Sequence, residues 1–363
     1  MGERIFARGN EAVGWGAVNA DCFAFFGYPI TPQNEVTEWF AREMPKRGRI
    51  FLQSQSEVGS INMLYGAAAA GVRAMTSTSS PGWALMQETM SHLAAAELPC
   101  VVVLVTRGGP GSGSVRHSQM DYMSATRGGG QGGYKNIVLA PWSAQETHDL
   151  MRMAFYLADK YCNPVVVLTD GILGQMREPM ESKVLDFGPL PQKEWALRGK
   201  DSRKGGKRSF FHSGPGVLPM AAYPSYVAFL EHLEEKYHQI MAEELRYESY
   251  EVEDAEVVMV AFGYVARVCR EVVNIGRGEG LKLGLMRLIT PWPFPYRAIW
   301  DKALGGCKFL VVEDNLGQMV EDVQLAVQGR ASVHLVGIKS RHMPTDGGMI
   351  MPDSVFKAAK GLV

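Results

Sequence analysis

Residues 101–105 read Val-Val-Val-Leu-Val, and the chain then runs through Thr106-Arg107-Gly108-Gly109-Pro110-Gly111. A short, unbroken apolar run rich in β-branched residues is the pattern of a strand buried on both faces of a parallel sheet. The pattern returns at Ile137-Val138-Leu139 and Val165-Val166-Val167-Leu168, with a helical stretch from Ala144 to Asp159 between them. Upstream, Glu11 to Ala20 reads as a short helix leading to the apolar strand Phe23-Ala24-Phe25-Phe26. Glu57 to Ala70 reads as a helix rich in small residues, Arg73 to Ser77 as a short strand, and Trp83 to Ala96 as a helix. This alternation builds βαβ units. Residues 1–185 are therefore expected to form an α/β domain, a parallel sheet with helices on both faces.

The rhythm breaks after that. Residues 186–250 are expected to be a linker carrying one amphipathic helix. Its first part holds Pro189, Pro191 and a basic run of Arg198, Lys200, Arg203, Lys204, Lys207 and Arg208. Such a run is either a solvated loop or a segment that docks onto an acidic partner or a phosphate. Tyr226 to Leu245 places apolar side chains at 226, 229, 230, 233, 237, 240, 241 and 245, which is helical spacing on one face. Residues 251–363 read as a second α/β domain. Its strands are expected at Val257 to Val260, Leu283 to Met286 and Phe309 to Val312, with helices beginning near Val265 and Pro295.

Composition narrows the function. The 37 basic and 38 acidic residues give a formal net charge of -1, which offers no footprint for nucleic acid or an anionic membrane. No apolar run approaches the roughly 18 residues that span a bilayer. The opening MGERIFARGNEA lacks the apolar core of a signal peptide, so a cytoplasmic location is expected. The cysteines, Cys22, Cys100, Cys162, Cys269 and Cys307, are scattered and odd in number. That pattern argues against a disulfide framework, and equally against an iron–sulfur or zinc site built from close pairs.

Nucleotide motifs are missing too. There is no G-x-x-x-x-G-K-[ST] loop, and Gly14-Trp15-Gly16 is not followed by the third glycine of a dinucleotide fingerprint. Three other places carry chemistry. Tyr28-Pro29-Ile30-Thr31-Pro32 follows a buried strand at its carboxyl end, where open α/β sheets bind ligands. Thr31 either caps a helix starting at Pro32 or is held with its hydroxyl free. Glu57 opens the small-residue helix, as a first-turn carboxylate favoured by the helix dipole or as a functional acid. Arg107 ends a strand beside flexible glycines, placed for a surface ion pair or for gripping a carboxylate with two hydrogen bonds.

These three sites occur together, in this order, in one family. The chain resembles the alpha subunit of 2-oxoacid:ferredoxin oxidoreductases. The matching stretches are GNEA at Gly9 to Ala12, GYPITP at Gly27 to Pro32, and QSEVGSINMLYGAAAAGVRAMTSTSSPG from Gln55 to Gly82. They continue with TRGGPG from Thr106, NPVVVLTDGILGQM from Asn163, ITPWPFP from Ile289 and VVEDNLGQMVEDV from Val311. The string FGYPITPQNE and the run Gly128 to Tyr134 resemble the branched-chain type, which oxidises 3-methyl-2-oxobutanoate (2-ketoisovalerate). The alternative is the 2-oxoglutarate type, whose distal carboxylate needs a further cation, for which Arg116, His117 and Arg127 are candidates.

The resemblance implies a fold and a chemistry. The first domain is expected to be the pyrimidine-binding domain of thiamine-diphosphate enzymes, and the second to be similar to the carboxy-terminal domain of transketolase. Glu57 would hydrogen-bond the ring nitrogen of the cofactor's aminopyrimidine and favour the imino tautomer that takes the thiazolium proton. Tyr28 and Pro29 would line the cofactor, and Thr31 and Arg107 would hold the substrate carboxylate. Thiamine enzymes hold diphosphate and Mg2+ through Gly-Asp-Gly and an Asn some way downstream. Here the nearest match is Thr169-Asp170-Gly171, and the next Asn is Asn274. The diphosphate and Mg2+ half-site is therefore expected on a beta subunit. The 4Fe-4S clusters are expected on partner subunits, among gamma and ferredoxin-like chains that pass electrons to ferredoxin, with coenzyme A accepting the acyl group. The chain alone is expected to be inactive.

Overall fold

The computed structural model describes residues 3–197, 223, 225–338 and 348–363, so the basic run at 198–208 lies outside the described residues. The first domain opens with strand β1 (Glu3–Arg8) and helix α1 (Gly9–Asn19), then β2 (Ala24–Gly27), α2 (Asn34–Glu43), β3 (Ile50–Gln53) and α3 (Glu57–Ala69). It continues through β4 (Ala74–Ser79), α4 (Ser80–Ala95), β5 (Cys100–Thr106), α5 (Tyr122–Arg127), β6 (Ile137–Leu139), α6 (Ala144–Tyr161) and β7 (Pro164–Asp170). The short α7 (Gly171–Gln175) and strand β8 (Arg177–Ser182) close it.

Six strands form one sheet in the order β3-β2-β4-β5-β7-β6, with every neighbour parallel. β5 and β7 sit inside it, and all seven residues of each are buried, as their unbroken apolar runs require. β4 is buried along its length although it carries Thr76, Ser77, Thr78 and Ser79; Ser77 Oγ donates to Gln33 and Thr78 Oγ1 to Ser79 O, while the Thr76 and Ser79 hydroxyls have no partner among the described residues. The antiparallel pair β1–β8 stands apart from this sheet. Its exposed, mixed-polarity residues carry no period that marks a strand.

Helix α8 (Tyr226–Glu243) follows, with Ser225 capping it through Ala228 N. Phe229, Leu233, Tyr237 and Ile240 of its expected apolar face are buried, whereas Tyr226, Leu230 and Met241 stay exposed. Its inner face also buries Lys236, which pairs with Glu97 of the first domain at 3.1 Å.

The second domain comprises β9 (Tyr247–Tyr250), β10 (Val257–Phe262), α9 (Gly263–Gly278), β11 (Leu283–Leu288), α10 (Tyr296–Leu304) and β12 (Lys308–Val312). α11 (Met319–Val327), β13 (Val333–Val336) and α12 (Pro352–Lys360) complete it. Its sheet has the order β13-β12-β10-β11-β9, parallel except for the edge strand β9. The second sheet thus takes in the end of the stretch read as a linker. The two domains meet where Val138 N of β6 donates to Trp292 O at 2.9 Å and Ala140 N to Ile289 O at 2.8 Å. The ITPWPFP segment is therefore laid against the edge of the first sheet. Among the described residues, no helix is long and apolar enough to cross a membrane.

Candidate active site

The Tyr28-to-Pro32 loop leaves β2 and is braced from three directions. Asn10 Nδ2 in α1 donates to Pro32 O at 2.9 Å, and Gln175 Nε2 in α7 approaches the same oxygen at 3.4 Å. Both amides also donate to Glu35 Oε2 at 2.8 Å. From below, buried Gln33 donates to Tyr28 O at 3.0 Å and accepts from Ser77 Oγ of β4 at 2.6 Å. A β-carbon at Gly174 would stand 2.5 Å from Asn10 Oδ1, so a residue without one is needed for this approach. The GNEA and DGILGQM stretches are thus, in part, the clamp of the loop.

Helix α2 begins at Asn34 with Gln33 in the capping position, so Thr31 is not its cap. Thr31 and Pro29 are exposed and Tyr28 is half-buried. The Thr31 hydroxyl has no hydrogen-bond partner among the described residues, while its carbonyl accepts from Arg107 Nη1 at 2.9 Å.

Glu57 is the first residue of α3, behind a Ser56 cap whose Oγ accepts from Gly59 N at 3.2 Å. The cap already serves that end of the helix, so the Glu57 carboxylate is not needed there. The side chain is 6% exposed. No described residue offers it a hydrogen bond or an ion pair. It lies against the first turn of α4, where a β-carbon at Gly82 would fall 2.5 Å from Glu57 Cγ and 2.7 Å from its Oε1. The glycine makes room for the carboxylate.

Arg107 follows β5 and has no carboxylate partner among the described residues. Its Nη2 donates to Ser112 O at 2.7 Å, and its Nε is buried without a partner. Its peptide is pinned by Ser80 at the start of α4. Ser80 Oγ accepts from Arg107 N at 2.9 Å, lies 3.1 Å from Arg107 O, and donates to Asp121 Oδ2. Burial pushes the Asp121 carboxyl up to about 6, against the lowering effect of the Ser80 bond. Thr31, Glu57 and Arg107 are therefore gathered at one carboxyl edge of the sheet. Arg107 touches the Thr31 backbone, Ser80 ties Arg107 to α4, and Gly82 of α4 meets Glu57.

The candidate cations Arg116, His117 and Arg127 lie differently. His117 Nδ1 is 2.8 Å from Asp314 Oδ2, and Arg127 Nη2 donates to Asp322 Oδ1 at 2.8 Å. Both point into the second domain, while Arg116 is exposed. Asp170 is also occupied, with Oδ1 accepting from Ile172 N and Leu173 N at 2.8 and 3.0 Å as the cap of α7. Its burial pushes its carboxyl up to about 6. Ser80, Asp121, Gly82 and Gln33 were not singled out by sequence reasoning. Ser80 and Gly82 lie within the quoted TSTSSPG stretch, and a glycine directly after a proline at a helix start was the available signal.

Comparison with known proteins agrees with this layout. Residues 15–248 match the family described as pyruvate flavodoxin/ferredoxin oxidoreductase, thiamine diphosphate-binding, and residues 255–353 match pyruvate:ferredoxin oxidoreductase core domain II. The ketoisovalerate oxidoreductase subunit VorB of Methanothermobacter thermautotrophicus is 48% identical over 330 residues, 91% of each chain. A solved 2-oxoglutarate:ferredoxin oxidoreductase from Magnetococcus marinus, with 2-oxoglutarate, coenzyme A and succinyl-CoA bound, superposes with a TM-score of 0.82 at 27% identity. That superposition covers 99% of this chain and 65% of that one, so the chain spans about two thirds of the structural relative's length. A split-gene transketolase, at 14% identity, 98% and 95% coverage and a TM-score of 0.58, shares the fold. The chain belongs to the 2-oxoacid:ferredoxin oxidoreductase family, as a subunit of the alpha type that joins the thiamine-diphosphate-binding domain to core domain II.

Proposed function

We propose that this chain contributes Glu57, Thr31 and Arg107 to the active site of an oxidoreductase that decarboxylates a branched-chain 2-oxoacid, 3-methyl-2-oxobutanoate, to its acyl-CoA, with electrons passing to ferredoxin. The observation that carries the reading is the buried, partnerless Glu57 carboxylate beside Gly82. The side chain is nearly buried, no described residue donates to it, and its carboxylate therefore keeps its acceptors open to a donor on a ligand. The ring nitrogen of an aminopyrimidine, once protonated, is such a donor, so these residues fit thiamine diphosphate. When bound, that cofactor supplies the electron sink for decarboxylation.

Glu57 then holds a proton at the pyrimidine ring nitrogen. Tyr28 and Pro29 line the cofactor edge. Arg107 turns its guanidinium, now on two backbone carbonyls, toward the substrate carboxylate, and the free Thr31 hydroxyl donates to the same group. The diphosphate and Mg2+ are assigned to a beta subunit, because Asp170, the nearest match to the diphosphate motif, is consumed as a helix cap. The 4Fe-4S clusters are assigned to other partner subunits, of the gamma and ferredoxin-like kinds, and oxidation requires the complex.

Two observations favour a branched-chain substrate over 2-oxoglutarate. The relative named for ketoisovalerate is 48% identical, against 36% for the 2-oxoglutarate synthase subunit KorA of Methanothermobacter marburgensis. Of the three candidate cations, His117 and Arg127 are held by Asp314 and Asp322, which leaves only Arg116, whose carbonyl accepts from Gly108 N at 3.0 Å, on the Arg107 loop. The test is a panel of 2-oxoacids assayed with the co-purified complex, coenzyme A and a viologen dye. The expected result is the highest kcat/KM for 3-methyl-2-oxobutanoate. A preference for 2-oxoglutarate would overturn the substrate assignment.

A further inference from the structure

Arg107 is bonded within its own domain, but the segment that follows it is tied to the other one. Residues 117–123 are laced to the turn that follows β12. Gln119 N donates to Asp314 O at 2.8 Å, Asp314 N to Gln119 Oε1 at 3.1 Å, and Asn315 Nδ2 to Gln119 O at 3.0 Å. Gln119 Nε2 donates to Phe262 O at 3.0 Å. Gln318 then brackets the next turn, with Nε2 donating to Met120 O at 2.7 Å and Oε1 accepting from Met123 N at 2.9 Å. Between those two contacts lies Asp121, whose carboxylate accepts from Ser80, whose hydroxyl in turn takes Arg107 N. The path from second domain to Arg107 is therefore continuous: Gln318, the 120–123 backbone, Asp121, Ser80, Arg107.

We infer that the second domain positions Arg107 through this path, with Gln318, Asp121 and Ser80 as positioning residues for the substrate carboxylate. The inference rests on the reading of Arg107 given above. None of the three needs to touch substrate. Arg107 lacks a carboxylate partner of its own to fix it, and its side-chain bonds go to carbonyls of two loops. Its backbone anchor therefore decides where the guanidinium sits, and a loosened anchor weakens substrate binding without altering the chemistry that follows.

The test uses the assembled complex, saturated with thiamine diphosphate and Mg2+, and measures KM and kcat for the preferred 2-oxoacid together with apparent thiamine diphosphate affinity. Gln318→Ala and Ser80→Ala should each raise KM roughly three- to tenfold, the worth of one or two hydrogen bonds, with kcat changed less than about twofold. Thiamine diphosphate affinity should be unchanged, and Ser80→Thr, which restores the hydroxyl, should return KM to the parent value. Arg107→Ala is run in parallel and should lose about a hundredfold in kcat/KM. If Arg107→Ala is impaired while Gln318→Ala keeps the parent KM, whatever Ser80→Ala does, the inference falls and the proposed function stands. If Arg107→Ala is itself unimpaired, the reading of Arg107 fails first. A KM change matched by an equal loss of cofactor affinity would mark a general structural defect and overturn the inference. Should Gln318→Ala fail to assemble, Gln318→Glu, which keeps the acceptor for Met123 N and loses the amide donor to Met120 O, decides.

Discussion

Each domain buries a glutamate at the carboxyl edge of its sheet, and the two are treated in opposite ways. Glu313, just past β12, is fully buried and saturated. Its Oε1 accepts from Gln318 N and Val320 N at 3.0 Å, and its Oε2 accepts from Asn315 Nδ2 and Met319 N at 2.8 Å. Glu57, at the start of α3, is nearly as buried and accepts nothing among the described residues. The first carboxylate completes a fold, since it gathers the backbone N–H groups that open α11. The second leaves its acceptors unused within the described chain, which is what the proposed cofactor contact needs. Position and residue type are alike in the two, so what separates scaffold from site is whether the local donors are already spent.

The contrast predicts opposite responses. Glu57→Gln in the assembled complex should lower kcat by roughly two to four orders of magnitude, the range for a lost proton-transfer group, while the melting temperature stays within a degree or so or rises. A melting temperature that collapses with the activity would make Glu57 a second Glu313. Glu313→Ala strips the acceptor from three backbone N–H groups and should cost about 3 kcal/mol, read by denaturant unfolding. A loss within the error of the measurement would break the comparison from the other side.

A smaller effect lies in pH. Burial raises the Asp170 carboxyl from 3.8 to about 6, so the folded chain holds that proton more tightly than the unfolded one. The sign follows: Asp170 favours folding most below about pH 4, and that contribution is lost as pH rises through 6. The wild type should therefore gain stability relative to Asp170→Asn when pH is lowered from 7 to 5. Parallel melting-temperature profiles of the two proteins would contradict this. The smallest effect is expected at Asn10→Ala, which leaves the Pro32 carbonyl only the longer bond from Gln175 and should cost about 1 kcal/mol, with a modest rise in KM.

Much of the architecture could be read from local pattern. The runs at 101–105, 137–139 and 165–168 became β5, β6 and β7, because buried parallel strands write themselves as unbroken apolar sequence. The pair β1–β8 and the edge strands β3, β9 and β13 went unread, being short and half-exposed, with no face buried thoroughly enough to leave a period. At the site, Thr31, Glu57 and Arg107 were each ambiguous as residues. Their joint family pattern singled them out, and the structure brings all three to one edge. The anchoring of Arg107 was not legible, since Gln119 meets Asp314 and Gln318 meets Met120 across almost two hundred positions, and no local periodicity encodes such hydrogen bonds.

The central claim is that Glu57 hydrogen-bonds the aminopyrimidine and so promotes loss of the thiazolium C2 proton. Exchange of that proton for solvent deuterium, measured by rapid acid quench in the assembled complex without substrate, reads this step directly. Glu57→Gln should slow the exchange by at least about a hundredfold, with thiamine diphosphate still bound. Exchange at the parent rate in a complex that retains the cofactor would contradict the account.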